Sequence, residues 1–267
     1  MSSGSSSPRV AVIGGSGFYE FLDDPRPATV ATPYGDPSAP ISVGTVAGRL
    51  VAFLPRHGRA HEYPPHRINY RANIWALRAL GVRRVLAPCA VGALDAALLP
   101  GTVVVPDQLV DRTTSRVQTF MDQGAVHAPF ADPYCPRLRL ALLAADDAVV
   151  DGGTVVVVEG PRFSTRAESQ SFAAAGWSLV NMTGQPEAAL ARELGLCYAT
   201  LALVTDSDAG VVDGNGVDQA LVFAEFARHI DRLKDILGVA IPAADIGTDS
   251  CGCAAWLAGI SLPFELP

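Results

Sequence analysis

An apolar run, Val10-Ala11-Val12-Ile13, passes straight into Gly14-Gly15-Ser16-Gly17, a glycine turn carrying one hydroxyl. Such turns expose backbone N–H groups able to hold an anion. Two larger ligands are excluded. The triphosphate loop needs a lysine after its second glycine, and the only lysine in the chain is Lys234. The dinucleotide fingerprint starts correctly at Gly15-Ser16-Gly17 but has Glu20 where its third glycine belongs. The turn is therefore a cradle for a small anion or plain punctuation. Arg56-His57-Gly58 adds a forked cation, and an arginine of this kind either holds an anion or makes a surface ion pair. Asp206 and Asp208 stand two apart after an apolar run, which on extended backbone puts both carboxyls on one side. Partial burial of such a pair raises one pKa toward the range of a general acid. The alternative is an Asp-rich turn capping the next helix.

The elements that must position these residues follow from short apolar runs separated by helical stretches. Strands are expected at residues 10–13, 41–46, 50–54, 85–87, 102–105, 154–159, 179–180 and 197–204. Helices are expected at 70–80, 136–144, 165–175, 186–194 and 217–237. Alternation of this kind implies one α/β domain over residues 9–267, with a mixed central sheet flanked by helices on both faces. Runs 41–46 and 49–54 read as a hairpin. Residues 1–8 read as a disordered tail and 211–215 as a polar loop. In sheets of this type ligands gather at the carboxyl ends of strands. There the sequence places Gly14-Gly15-Ser16, Arg56-His57, Cys89-Ala90-Val91-Gly92, Glu159-Gly160-Pro161-Arg162-Phe163, Asn181-Met182-Thr183 and Thr205-Asp206-Ser207-Asp208.

Composition bounds the partners. The net charge of -7 and the dispersed arginines give no basic track for nucleic acid. No apolar run reaches membrane-spanning length, and no signal sequence is visible, so a soluble cytoplasmic protein is expected. Five cysteines at irregular spacing are not a disulfide framework. Cys251-Gly252-Cys253 could bridge or bind a metal, but the expectation is free thiols in a reducing compartment. His57 and His61 have helical ligand spacing, yet Pro64 and Pro65 follow and no zinc-protease pattern is present, so no metal is expected.

The ordered set of motifs resembles the trimeric purine nucleoside phosphorylase family, and more closely its methylthioadenosine phosphorylase branch. The resemblance is carried by Ile13-Gly14-Gly15-Ser16-Gly17, Thr32-Pro33-Tyr34-Gly35, Arg56-His57-Gly58 and Asn69-Tyr70-x-Ala72-Asn73. It continues through Asp107-Gln108, Asp111-Arg112-Thr113, Glu159-Gly160-Pro161-Arg162-Phe163-Ser164 and Asn181-Met182-Thr183. It spans residues 9 to about 240. It implies phosphorolysis of a purine nucleoside, with phosphate as co-substrate and no cofactor. Ser16, Arg56, His57 and Thr183 would hold phosphate. Cys89 stands where the branch usually carries a hydroxyl. Ala90, Gly92, Phe163, Asn181 and Met182 would contact the nucleoside. Asp206 would protonate the leaving purine and Asp208 support it. The segment around His127 would cross into a neighbouring subunit of a homotrimer or dimer of trimers and reach the 5′ end. Asn181-Met182-Thr183-Gly184 is also close to the pattern of 6-oxopurine relatives, which is the alternative reading. A nucleosidase using water, or a silent binding protein on the same fold, are the remaining alternatives.

Overall fold

The computed structural model describes residues 7–15, 18, 21–212, 216–245 and 251–267. Strand β1 (Val10–Gly14) is buried along its whole length. Val10 and Val12 join one apolar cluster, Ala11 and Ile13 another. That period-2 split is the mark of a strand covered on both faces. Strands β2 (Asp23–Ala28), β3 (Ile41–Val46) and β4 (Arg49–Pro55) lie to one side of β1 in the order β2-β3-β4-β1. β3 and β4 form the expected hairpin, closed by Ala47 and Gly48, both at positive φ.

Strand β5 (Arg84–Ala93) is the spine of the molecule. Its first residues pair in parallel with β1, from Val10↔Arg84 to Val12↔Leu86. Its last residues pair antiparallel with β10 (Leu179–Asn181). On the other edge it pairs continuously with β11 (Cys197–Ser207). The sheet therefore forks along β5, between the end of β1 and the start of β10. Beyond β10 lie β9 (Thr154–Val158) and β7 (Gln108–Arg112); beyond β11 lie β6 (Val103–Val105) and β8 (Val150–Asp151). Helices α2 (Pro136–Leu143) and α5 (Gln219–Asp245) cover one face. Helices α1 (Tyr70–Ala79) and α4 (Gly184–Glu193) cover the other. Helix α3 (Arg166–Ala174) packs Phe172 and Ala173 beside Val156 and Val180.

The mixed sheet with helices on both faces is thus as the sequence implies, with local differences. β2, β7 and β8 were not anticipated. β2 contains two prolines and is almost wholly exposed, which suits an edge strand and leaves no apolar signal. β5 continues six residues past the expected end at residue 87, through Pro88. A residue's N–H and C=O share one side of a strand, and the Pro88 carbonyl faces the open fork. Its missing donor therefore leaves no ladder bond unmade. Helix α5 runs on past Gly238 and Pro242 because Ala240, Ile241 and Ala244 remain buried. Of the expected N-terminal tail, residues 1–6 lie outside the described residues and Pro8 is buried. In the expected loop at 211–215, residues 213–215 also lie outside them. Among the described residues no helix is long and apolar enough to cross a membrane.

Candidate active site

The fork leaves one edge of β5 unpaired, and a cavity of about 400 Å³ opens there. Its walls include Gly15, Arg56, His57, Cys89, Ala90, Gly92, Phe163, Asn181, Met182, Thr183, Asp206 and Asp208. Eleven of the residues expected from sequence thus meet in one place. Ser16 lies outside the described residues, although Gly15 beside it lines the wall.

The open backbone of β5 needs partners, and two side chains supply them. Arg56, at the end of β4, donates through Nη1 to the Pro88 carbonyl at 3.1 Å. Asn181 donates through Nδ2 to the Ala90 carbonyl at 3.2 Å. Arg56 is only 3% exposed and makes more bonds than a free anion hook would. Its Nε and Nη2 donate to the two carboxyl oxygens of Glu187 at 2.6 and 3.2 Å, and Nη2 also reaches the Ile13 carbonyl at 3.0 Å. Among the described residues four of its five N–H groups are thereby committed, and one on Nη1 has no partner there. Burial works against the charge, but the Glu187 carboxyl more than restores it and holds the guanidinium above its ordinary range. Glu187 is 1% exposed and also accepts from the Tyr198 hydroxyl at 2.9 Å. Sequence reading did not single it out. A glutamate within the first turn of a mostly buried helix was the available signal.

His57 is a neutral group here. Burial, and then the neighbouring Arg56 charge, lower its pKa to about 4. Its Nδ1 lies 2.9 Å from the Tyr63 carbonyl, which can only accept, so Nδ1 carries the proton and Nε2 is an acceptor. The ring stacks on His61 with centroids 4.6 Å apart. Cys89 is buried, and that burial pushes its thiol up to about 12, so it presents S–H rather than a thiolate that would repel an anion. Thr183 is freed for a ligand by its neighbour. Asn181 Oδ1 accepts from the Thr183 and Gly184 backbone N–H groups at 2.7 and 2.6 Å, while the Thr183 hydroxyl makes no capping bond. Asn181, expected as a substrate contact, has its amide taken up by these backbone bonds. It lines the cavity mainly as a positioning residue.

At the far end of the cavity, β11 carries a register shift between Val204 and Asp206. The extra residue, Thr205, breaks the ladder and turns Asp206 into the cavity, as bulges beside binding sites do. Asp208 follows the end of the strand, and its carboxyl accepts from Ser169 Oγ of α3 at 2.6 Å. α3 is fixed for this by a capping box of Thr165 and Glu168. The two aspartates meet across Gly92. A Cβ at that position would lie 3.1 Å from Asp206 Oδ2 and 3.3 Å from Asp208 Cβ, so a side chain there would press on both. Burial raises the Asp206 pKa to about 6; the Thr205 hydroxyl 2.8 Å away opposes this and the Asp208 carboxyl adds to it. This is the raised carboxyl that the spacing implied.

Between the Arg56 end and the carboxyl end lie apolar walls. Met182 is seated over Gly160, whose φ is +63°; a Cβ there would come within 2.6 Å of the Met182 sulfur. Phe163 lines the same cavity, as do Val222, Phe223 and Phe226 of α5. The α5 residues were missed because a helical apolar stripe gives no sign of facing a cavity rather than the core. His127 lies outside this cavity and is exposed in the single chain. Tyr134 and Cys135, at the end of the segment expected to cross to a neighbour, are instead core residues of this chain.

Comparison with known proteins gives the family. A family model for the phosphorylase superfamily matches residues 9–237. The chain belongs to the phosphorylase superfamily. Within it, the chain is 62% identical to S-methyl-5′-thioadenosine phosphorylase of Mycobacterium tuberculosis, over 97% of each chain. It is 56% identical to a purine nucleoside phosphorylase of Streptomyces coelicolor, again over 97% of each. Among solved structures, methylthioadenosine phosphorylase from Schistosoma mansoni in complex with adenine superimposes with a TM-score of 0.86 at 36% identity, covering 94% of this chain and 96% of that one. The phosphorylase from an antarctic soil metagenomic library also gives 0.86, at 39% identity and 92% and 91% coverage.

Proposed function

We propose that this superfamily member is a pentosyltransferase that cleaves 5′-deoxy-5′-(methylthio)adenosine, with inorganic phosphate, to adenine and 5-(methylthio)ribose 1-phosphate. The observation that carries the reading is a single cavity with an anion end, an apolar middle and a carboxyl end. Phosphate would sit against the free Nη1 N–H of Arg56, the Thr183 hydroxyl, the Cys89 thiol and the glycine turn. A phosphate oxygen attacks the anomeric carbon, the C–N bond breaks, and its electron pair leaves on the purine. Asp206, with a pKa of about 6, passes its proton to the leaving nitrogen. A carboxyl oxygen accepts from a 6-amino group but gives nothing to a 6-oxo group, so Asp208 favours adenine. Val222, Phe223 and Phe226 suit a methylthio group better than a hydroxyl. No further cofactor is required by this chemistry.

The assembly we propose is a homotrimer, alone or stacked as a dimer of trimers. Residues 113–133 carry no regular structure and are mostly at the surface, yet they are pinned down, with Phe120 buried. Arg116 donates to the Gln185 and Glu159 carbonyls at 2.6 Å each. A long tethered excursion of this kind suits a neighbour's site, and His127 sits on its exposed part. The setting we propose is the reducing cytoplasm, where cysteines not joined in disulfides stay reduced.

With phosphate present, adenine release from methylthioadenosine is expected to outpace release from adenosine, and hypoxanthine release from inosine to be slowest. Faster inosine cleavage overturns the base assignment. Phe226→Ser should cut the preference for methylthio over hydroxyl by roughly tenfold. An unchanged ratio removes α5 from the 5′ end.

A further inference from the structure

Four of the five cysteines converge from three distant parts of the sequence. Cys135 is the N-cap of α2, Cys197 opens β11, and Cys251 and Cys253 follow α5. Their four sulfurs all lie within 4.8 Å of one another. Cys135, Cys197 and Cys253 are buried, and Cys251 is half-buried. None is joined in a disulfide, and Cys197 and Cys251 lie 3.3 Å apart at sulfur.

The grouping is mutual, and that decides between two chemistries. A disulfide draws two sulfurs to about 2.0 Å and leaves the other pair independent. A tetrahedral ion with metal–sulfur bonds of about 2.3 Å needs all six sulfur separations near 3.8 Å. With every separation under 4.8 Å and one of 3.3 Å, the cluster is closer to the second arrangement. Gly252 between the last two cysteines has φ +76°, so the chain reverses there and both sulfurs can face one point. Cys135 is the N-cap of α2, so the helix's positive end lies beside its sulfur and favours a thiolate there. Arg84 and Arg137 line the adjacent cavity with Cys135, Cys197 and Cys251, placing positive charge beside a site that would be doubly negative when filled. That cavity and the half-buried Cys251 give an ion a way in.

We propose that Cys135, Cys197, Cys251 and Cys253 form a structural tetrathiolate site for zinc. This departs from the free thiols expected from sequence, and it does not depend on the reaction proposed above, since none of the four lines the catalytic cavity. Filled, the site ties the C-terminal segment to the start of α2 and β11. That segment also reaches α4, where Trp256 donates to the Arg192 carbonyl at 3.1 Å.

The test uses the full chain purified under reducing conditions without chelator. Metal content is measured with thiol titration, and the metal-free protein is then titrated with Zn²⁺ and Co²⁺. About one zinc per chain is expected, with tetrahedral thiolate–cobalt absorption on substitution. Zinc removal should speed proteolysis within residues 251–267 by tenfold or more. Cys251→Ser should lower zinc occupancy at least tenfold and change the cobalt spectrum, while adenine release stays near normal. Cobalt titration of the unmutated chain gives the same answer if the variant misfolds. Four reactive thiols with no zinc uptake overturn the proposal, as does loss of thiols in pairs without bound metal.

Discussion

Replacing Arg56 with alanine is expected to lower the unfolding free energy by about 3–5 kcal/mol, as well as to weaken phosphate saturation. The first effect follows from Glu187, a buried carboxyl that would lose its cation while keeping only the Tyr198 hydroxyl. The Pro88 and Ile13 carbonyls at the fork would lose their donors too. At this chain length the expected change in Tm is about 10 °C. The second effect follows from loss of a charged donor to the attacking anion, worth about 10²–10³ in turnover. Glu187→Gln separates the two. It keeps an acceptor for Arg56 but removes the countercharge, so the fold should lose less than in the alanine variant while the KM for phosphate shifts. Urea melts and phosphate saturation curves check both. An Arg56→Ala protein as stable as the parent, within about 1 kcal/mol, would show that the buried pair does not hold the fork together.

Asp206→Asn should move stability and activity in opposite directions. The folded pKa of about 6 lies above the ordinary 3.8, so the native state binds the proton more tightly than the unfolded chain. The protein therefore loses stability as pH rises from about 4 to about 6, and carries the full penalty at pH 7. Asparagine removes that penalty, with a gain of at most about 2 kcal/mol once partial solvent access is allowed for. Turnover should fall about 10²–10⁴-fold, since the amide cannot supply a proton. In the parent, kcat/KM should decline as pH climbs through about 6, and the ratio of parent to variant should carry that limb alone. A variant less stable at pH 7, or a ratio flat with pH, contradicts the assignment of Asp206 as a desolvated acid.

The sequence made the anion end and the carboxyl pair legible because their chemistry is local. Arginine beside a strand end, and two aspartates at period 2, say what they can do before the fold is known. It was silent on what holds them. Glu187 reads as one more helix glutamate until Arg56 is seen 131 residues away, and Ser169 acquires meaning only when α3 brings it to Asp208. The fork in β5 was hidden by Pro88, which reads as a strand terminator, because its open side becomes visible only when β1 stops short. β2 was invisible for the opposite reason: an exposed edge needs no apolar pattern. The convergence of four cysteines was equally illegible, because spacing along the chain carries no record of sulfurs meeting across distant segments.

The most direct measurement is base release from methylthioadenosine in buffer stripped of phosphate, then with phosphate restored, with the sugar product identified in each case. Adenine should appear only when phosphate is present, in equal amount to 5-(methylthio)ribose 1-phosphate, with release at least a hundredfold slower without it. Adenine released at the same rate without phosphate, together with the free sugar, would mean that water is the nucleophile and that the anion end of the cavity has been misread.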